Sequence, residues 1–178
     1  MADTTKTDTI KRVTIDGQTY FSSALFNKGV RPSIDFGLSV SRIGNKAQWP
    51  AMKALSEKLR LEYIQYQELL QMPQLRTSGI SKEAEERLKR GQAITQLLIQ
   101  DKNKPLSMEA EIIYLFALSL GILDNLSAAD IKMFQDEFVA KASEWYPDLL
   151  SELRNSKILT DSAIEKLYEA LGRAFQAA

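Results

Sequence analysis

Apolar residues after position 45 recur at steps of three and four along the chain, which is the period of an amphipathic helix. The first stripe consists of Met52, Leu55, Leu59, Tyr63, Tyr66 and Leu70. Pro73 and Gly79 follow this stripe, and both residue types commonly end a helix. The pattern therefore predicts one helix with a single buried face over this stretch.

Hydroxyl side chains that can cap a helix stand before four later stripes, at Ser81, Ser107, Ser127 and Thr160. Ser127 is followed at the third position by Asp130, the spacing of a capping box with Asp in place of Glu. Pro147 is expected to start a short additional helix. The helix after Ser107 is apolar nearly all round, so it is expected at the centre of the bundle. Its apolar positions include Ile112, Ile113, Leu115, Phe116 and Leu118.

The first 44 residues have a different pattern. Short stretches at 13–15, 18–21 and 34–40 are separated by glycine, proline and aspartate, which favours strands and turns. Residues 1–12 are polar and threonine-rich and are expected to form a disordered or divergent leader. The fold class is therefore mainly α, a helical bundle over 45–178 preceded by a short strand-and-turn segment over 13–44. Because so few strands cannot form a stable sheet alone, they need a partner.

Composition narrows the chemistry that the chain can perform. Lys plus Arg and Asp plus Glu number 23 each, so no net charge favours nucleic acid or anionic lipid. The sequence has neither cysteine nor histidine and no phosphate-binding loop, so no metal site is predicted and catalysis by the isolated chain is not expected. The longest apolar run, 112–123, is shorter than the roughly 20 residues that span a bilayer, so direct membrane insertion is not expected.

One segment, residues 31–44, combines two arginines with glycines at its bends. Arg31 and Arg42 lie at either end, and Gly37 and Gly44 allow the backbone to approach a ligand closely. The residues alone leave two interpretations open for Arg42. It could contact a phosphate, or it could be an ordinary surface arginine near a turn, which is the commoner case.

Several short strings occur in a fixed order around this segment. They are Asp16-Gly17-Gln18, Leu25-Phe26, Arg31-Pro32 and Gly37-Leu38-Ser39-Val40-Ser41-Arg42, with Gly44 two positions on. This order resembles the alpha subunit of rotary F-type ATP synthases. Matches continue downstream through Arg90-Gly91, Pro105-Leu106 and Tyr146-Pro147-Asp148-Leu149-Leu150, so that the resemblance covers roughly residues 13 to 176.

The resemblance implies specific roles for four residues. Arg42 falls on the arginine finger that the alpha subunit extends into the catalytic site of the neighbouring beta subunit. Arg31 and Pro32 fall on the adenine pocket of the alpha subunit's own non-catalytic nucleotide site, and Gln100 on one of two glutamines that approach that nucleotide. The implied cofactors are ATP and ADP, with Mg²⁺ held by other chain segments.

The resemblance also implies a domain organisation, a set of partners and a cellular location. Residues 13–44 would end the nucleotide-binding domain, and 45–178 would form the C-terminal helical bundle around the rotor. The implied partners are the beta and gamma subunits and the N-terminal part of the alpha subunit, which would supply the rest of the sheet. The implied location is peripheral to an energy-transducing membrane, on its cytoplasmic or matrix/stromal side, within a proton-transporting ATP synthase.

The sequence departs from the family pattern at three places, of which the first two support an alternative hypothesis. Lys102 stands at the second glutamine position and Asn103 at the aromatic that follows it. Residues 76–80 replace the acidic turn that faces the rotor, and Trp49-Pro50 is unusual at the start of the long helix. The alternative is a helical protein-interaction module that kept the fold and lost the rotary function.

Overall fold

The computed structural model describes residues 17–71 and 81–176. The predicted leader at 1–12, the predicted strand at 13–15 and the altered turn at 76–80 lie outside this range, as do Pro73 and Gly79. Those predictions therefore stay predictions.

The described chain is mostly helical, as its apolar periodicity predicts. Two short strands, β1 (Gly17–Gln18) and β2 (Val40–Ser41), pair antiparallel, with Gly17 opposite Ser41 and Gln18 opposite Val40. A 3₁₀-helix covers Ile122–Asn125. The α-helices in chain order are α1 (Ser23–Asn27), α2 (Gly44–Ala47), α3 (Pro50–Ser56), α4 (Leu59–Gln71), α5 (Lys82–Leu97), α6 (Met108–Ser119), α7 (Ala128–Trp145), α8 (Leu149–Ser156) and α9 (Asp161–Gln176).

All four predicted caps are confirmed. In each, the hydroxyl oxygen accepts a hydrogen bond from the backbone N–H three residues on, at 3.1–3.3 Å. At Ser127 the predicted capping box is complete, because Asp130 Oδ2 also accepts the Ser127 N–H at 3.2 Å. These bonds satisfy N–H groups that the first turn of a helix leaves without partners, which explains why the helices begin where they do.

The first apolar stripe forms two helices, α3 and α4, instead of the single helix predicted. No glycine or proline marks the break at 57–58. The two helices pack on different partners, since α3 lies against α6 and α4 against α5, and this tertiary packing overrides the local helical preference. Leu70, in the last turn of α4, is exposed, so the buried part of the stripe ends at Tyr66.

The predicted strands at 18–21 and 34–40 are also shorter than expected. Only the two-residue strands and an isolated bridge between Phe21 and Ile34 form. The remainder of 34–40 is a turn, because the Asp35 side chain accepts hydrogen bonds from the backbone of Gly37 and Leu38.

The core is centred on α6, as predicted. Ile112, Ile113 and Ala117 on this helix are fully buried, and α3, α5, α7, α8 and the 3₁₀-helix all pack around it. None of the helices in 17–71 and 81–176 has the length and apolar character needed to cross a membrane.

Candidate functional site

The segment 31–44 begins beside the loop that follows α5. The backbone N–H of Gln100 donates to the carbonyl of Arg31 at 2.9 Å, and the Gln100 side-chain amide donates to the carbonyl of Lys104 at 3.0 Å. Pro32 directly follows Arg31. The fold therefore brings together Arg31, Pro32 and Gln100, three residues that the resemblance assigned to one nucleotide site.

The guanidinium of Arg31 is held in a defined orientation. Its carbon lies 3.6 Å from the centre of the Phe26 ring, and Nη1 donates to the carbonyls of Phe26 at 2.7 Å and Val30 at 3.0 Å. Both side chains are exposed. Nothing in the local sequence pattern around Phe26 predicts this stacking.

Asp35 organises the turn in the middle of the segment. Its Oδ1 accepts the N–H of Gly37 at 2.9 Å and of Leu38 at 3.1 Å, while its carbonyl accepts the N–H of Ser39 at 2.9 Å. The Ser39 hydroxyl in turn accepts the N–H of Tyr20 at 3.0 Å. The turn is therefore tied both to itself and to the chain that follows β1.

The backbone is also fixed on both sides of Arg42. Ser41 before it is paired with Gly17 in the ribbon, and the Ser41 hydroxyl accepts the N–H of Gly44 at 3.0 Å. A Cβ on Gly44 would lie 2.3 Å from that hydroxyl oxygen, so any larger residue there would displace the Ser41 side chain.

Arg42 itself lies between β2 and α2 with an exposed side chain. Among the described residues, no carboxylate lies within ion-pair distance of its guanidinium, and no hydrogen bond joins it to Arg31, Pro32 or Gln100. The segment therefore presents two separate places for chemistry. One is the Arg31–Gln100 pair, and the other is Arg42.

Two contacts seat the segment on α4. Arg60 Nη2 donates to the carbonyl of Gly37 at 3.0 Å, and the rings of Phe36 and Tyr63 meet edge to face with centroids 5.6 Å apart. Burial raises the pKa of the Tyr63 phenol, and the charge of Asp35 adds to this. The contact is therefore apolar at Phe36 and polar at Gly37.

A cavity of about 320 Å³ lies between this segment and the helical bundle. Phe36, Gln48, Gln100, Glu111 and Tyr114 are among the residues that line it. Burial raises the pKa of the Glu111 carboxyl. Within 17–71 and 81–176 no three acidic side chains come together in a way that could hold a metal ion.

Large apolar side chains are unusually exposed along this part of the chain. Phe21, Phe26, Leu38, Val40 and Ile43 each expose between 51% and 65% of their surface. Where such side chains adjoin one another on a surface, they form the kind of apolar patch that another protein covers.

Comparison with known proteins assigns the chain to a family. A family model described as "ATP synthase alpha/beta chain, C terminal domain" matches residues 48–174. The chain belongs to this family. The ATP synthase C-terminal domain thus accounts for the helices from α3 onward, and it confirms the fold class.

The alpha subunits of three ATP synthases extend the match towards the N-terminus. That of Petrotoga mobilis is 35% identical over 158 residues, which is 89% of this chain and 31% of the relative. Those of Clostridium botulinum strain Eklund 17B and of Aquifex aeolicus are each 38% identical over 156 residues, 88% of this chain and 31% of the relative.

The chain therefore spans about a third of the length of these ATP synthase alpha subunits. A match of 158 residues leaves only 20 residues of the chain outside it, so the segment 31–44 lies within the matched part. The resemblance noted in the sequence is confirmed, since the chain corresponds to a C-terminal portion of the alpha subunit.

Proposed function

We propose that the chain is part of the catalytic head of an ATP synthase and supplies Arg42 as an arginine finger to a beta-subunit catalytic site. The observation that carries this proposal is the environment of Arg42. Its side chain is exposed on a fixed backbone, and no carboxylate in the described part of the chain neutralises it. Its charge is therefore available to a ligand on another chain.

The chemistry of phosphoryl transfer suits such a residue. Negative charge spreads over the equatorial oxygens of the transferring group, and a planar, permanently charged guanidinium can bridge two of them. In the complex the beta subunit would hold the nucleotide, and this chain would stabilise the transition state from across the subunit boundary. The isolated chain is then not expected to hydrolyse ATP.

A second nucleotide contact is proposed at Arg31, Pro32 and Gln100. The 2.9 Å bond between Gln100 and Arg31 supports a shared site, and the stacked pair of Arg31 and Phe26 offers a flat surface suited to a base of ATP or ADP. These side chains suit a base better than a metal ion, so Mg²⁺ would be held by other chain segments.

The exposed apolar residues along 21–43 support the proposed partners. Two-residue strands need further strands beside them, and the N-terminal part of the alpha subunit would supply these. The helical bundle would surround the rotor and contact the gamma subunit. Such an assembly lies peripheral to an energy-transducing membrane.

The test is Arg42→Ala in the assembled complex. Multi-site ATP turnover is expected to fall by about 10³- to 10⁵-fold, the usual contribution of an arginine finger, while assembly is retained. Lys46→Ala is the matched control, because it removes another exposed cation four residues away and should leave turnover within about twofold. Near wild-type turnover in Arg42→Ala would remove the arginine-finger assignment.

A pull-down separates this proposal from a repurposed interaction module. The loop with Lys102 and Asn103, where Asn103 adopts a positive φ of 63°, differs from the family and motivates that alternative. Capture of beta and gamma subunits by this chain supports the rotary role, whereas failure to bind either supports the alternative.

A further inference from the structure

Arg60 makes a contact that joins the helical bundle to the segment carrying Arg42. It lies in the first turn of α4, and its Nη2 donates to the carbonyl of Gly37 at 3.0 Å, a partner 23 residues away in sequence. The bond is exposed to solvent, so it contributes little to the stability of the fold. What the bond does is fix the position of residues 31–44 on α4.

The chain between Gly37 and Arg42 transmits position because its backbone is bonded at successive points. Gly37 is held by the Asp35 carboxylate, and Ser39 by the Asp35 carbonyl. Val40 and Ser41 are held by pairing with β1. A displacement of Gly37 would therefore be carried to Arg42, five residues on.

The contacts between the segment and α4 have different geometric demands. The edge-to-face packing of Phe36 on Tyr63 tolerates sliding, since apolar contact is not directional. The hydrogen bond from Arg60 fixes both distance and angle at one carbonyl. Of the two, the Arg60 bond defines the register of the segment on α4.

We infer that Arg60 is a positioning residue for Arg42, an inference that rests on the function proposed above. It acts through the carbonyl of Gly37 and does not touch the nucleotide. Arg60 fixes the position of the segment on α4, and from that position the Arg42 guanidinium reaches a phosphate on the neighbouring subunit.

The experiment is Arg60→Ala in the assembled complex, with steady-state kinetics of ATP hydrolysis. Because small misplacements of a reacting group are costly, kcat is expected to fall about 10- to 100-fold with KM unchanged within about twofold. Arg60→Lys keeps one donor on a long side chain and should recover part of the loss. Arg87→Ala, at an exposed arginine on α5, is the control and should retain wild-type kcat.

A double-mutant cycle shows whether the effect passes through Arg42. In an Arg42→Ala background, the further change Arg60→Ala should alter kcat by less than about twofold, since there is no guanidinium left to misplace. Equal losses in both backgrounds would show a general structural role and overturn the inference. If Arg60→Ala does not assemble, the same cycle with Arg60→Lys decides the matter.

The cycle also separates failure of this inference from failure of the proposed function. Slow turnover in Arg42→Ala together with wild-type kcat in Arg60→Ala overturns the positioning role alone. Wild-type turnover in Arg42→Ala overturns the arginine finger, and the positioning role falls with it.

Discussion

Glu109 and Glu111 lie two residues apart on α6 and have opposite electrostatic environments. Glu109 is only 4% exposed, and its Oε1 accepts a hydrogen bond from Arg154 Nε at 2.6 Å. This bond is the main reason that the pKa of the Glu109 carboxyl is lowered. The pKa of Glu111 is raised by burial instead. The two residues form a matched pair for testing how charge affects stability.

Glu109→Gln is expected to lower the free energy of unfolding at pH 7 by about 1–3 kcal/mol, because a charge-assisted hydrogen bond is lost. The pKa of Glu109 is lower in the folded state, so the unfolded chain binds the proton first as pH falls. The stabilisation is thus full above the ordinary glutamate pKa of about 4.3 and is lost as pH falls through the lowered value. Urea unfolding from pH 7 to pH 3 measures this.

Glu111→Gln is the control with the opposite sign. Burial disfavours the ionised carboxylate, so the folded state takes up the proton more readily and the wild type gains stability as pH falls through the raised pKa. The variant should therefore be as stable as the wild type or more stable at pH 7, and should lose that advantage in acid. If Glu111→Gln lowered the free energy of unfolding at pH 7 as Glu109→Gln does, with the same dependence on pH, both assignments would be contradicted.

The turn at Asp35 shows how far a single residue could be predicted. Aspartate two positions before glycine is a known turn pattern, so the hydrogen bond to Gly37 could have been anticipated from the sequence. The hydrogen bond from Arg60 to Gly37 could not, because the acceptor lies 23 residues earlier and its position depends on how α4 packs. The role proposed for Arg42 comes from the resemblance to the family motif, since its local pattern left two interpretations open.

At the scale of helices, α4 and α5 pack through Gly91. A Cβ built at this position would lie 2.0 Å from Cγ of Tyr66 on α4, so only glycine allows the helices to approach this closely. The preceding residue, Arg90, pairs with Glu62 on α4 at 3.0 Å and with Asp124 on the 3₁₀-helix at 3.3 Å. It also donates to the carbonyl of Leu118 at the end of α6. Arg90 and Gly91 together join α5 to three other elements, α4, α6 and the 3₁₀-helix.

Gly91→Ala is therefore expected to destabilise the chain by about 1–3 kcal/mol through overpacking, even though alanine favours a helix by about 1 kcal/mol. Gly172→Ala on α9 is the control, because its added Cβ would meet nothing within 4 Å. That variant should be stabilised by up to about 1 kcal/mol. Chemical denaturation of both variants measures the difference, and equal midpoints would contradict the packing described for Gly91.

The helices that the sequence predicted well are those with local signals. Ser81, Ser107, Ser127 and Thr160 each bond to the backbone three residues on, and such bonds form within one turn whatever the rest of the fold does. The division of the first stripe into α3 and α4 has no such signal. It follows from the packing of α3 on α6 and of α4 on α5, and no local pattern in the sequence reveals this packing.

At the scale of the whole molecule, the chain divides into a well-packed bundle and a segment with exposed apolar residues. The bundle around α6 was predicted from its period, because a helix apolar all round has to be buried. The sequence made no prediction for the exposure of Phe21, Leu38 and Val40, since exposure depends on which partner is present. Their exposure supports the proposal that the segment completes a domain supplied by another polypeptide.

The most direct measurement is the position of Arg42 in the assembled complex with bound nucleotide, obtained by electron cryo-microscopy. The proposed function predicts that its guanidinium nitrogens lie about 3 Å from phosphate oxygens of a nucleotide bound to a neighbouring subunit. An Arg42 side chain folded against its own chain, or facing solvent with no nucleotide-bearing neighbour in reach, would contradict it.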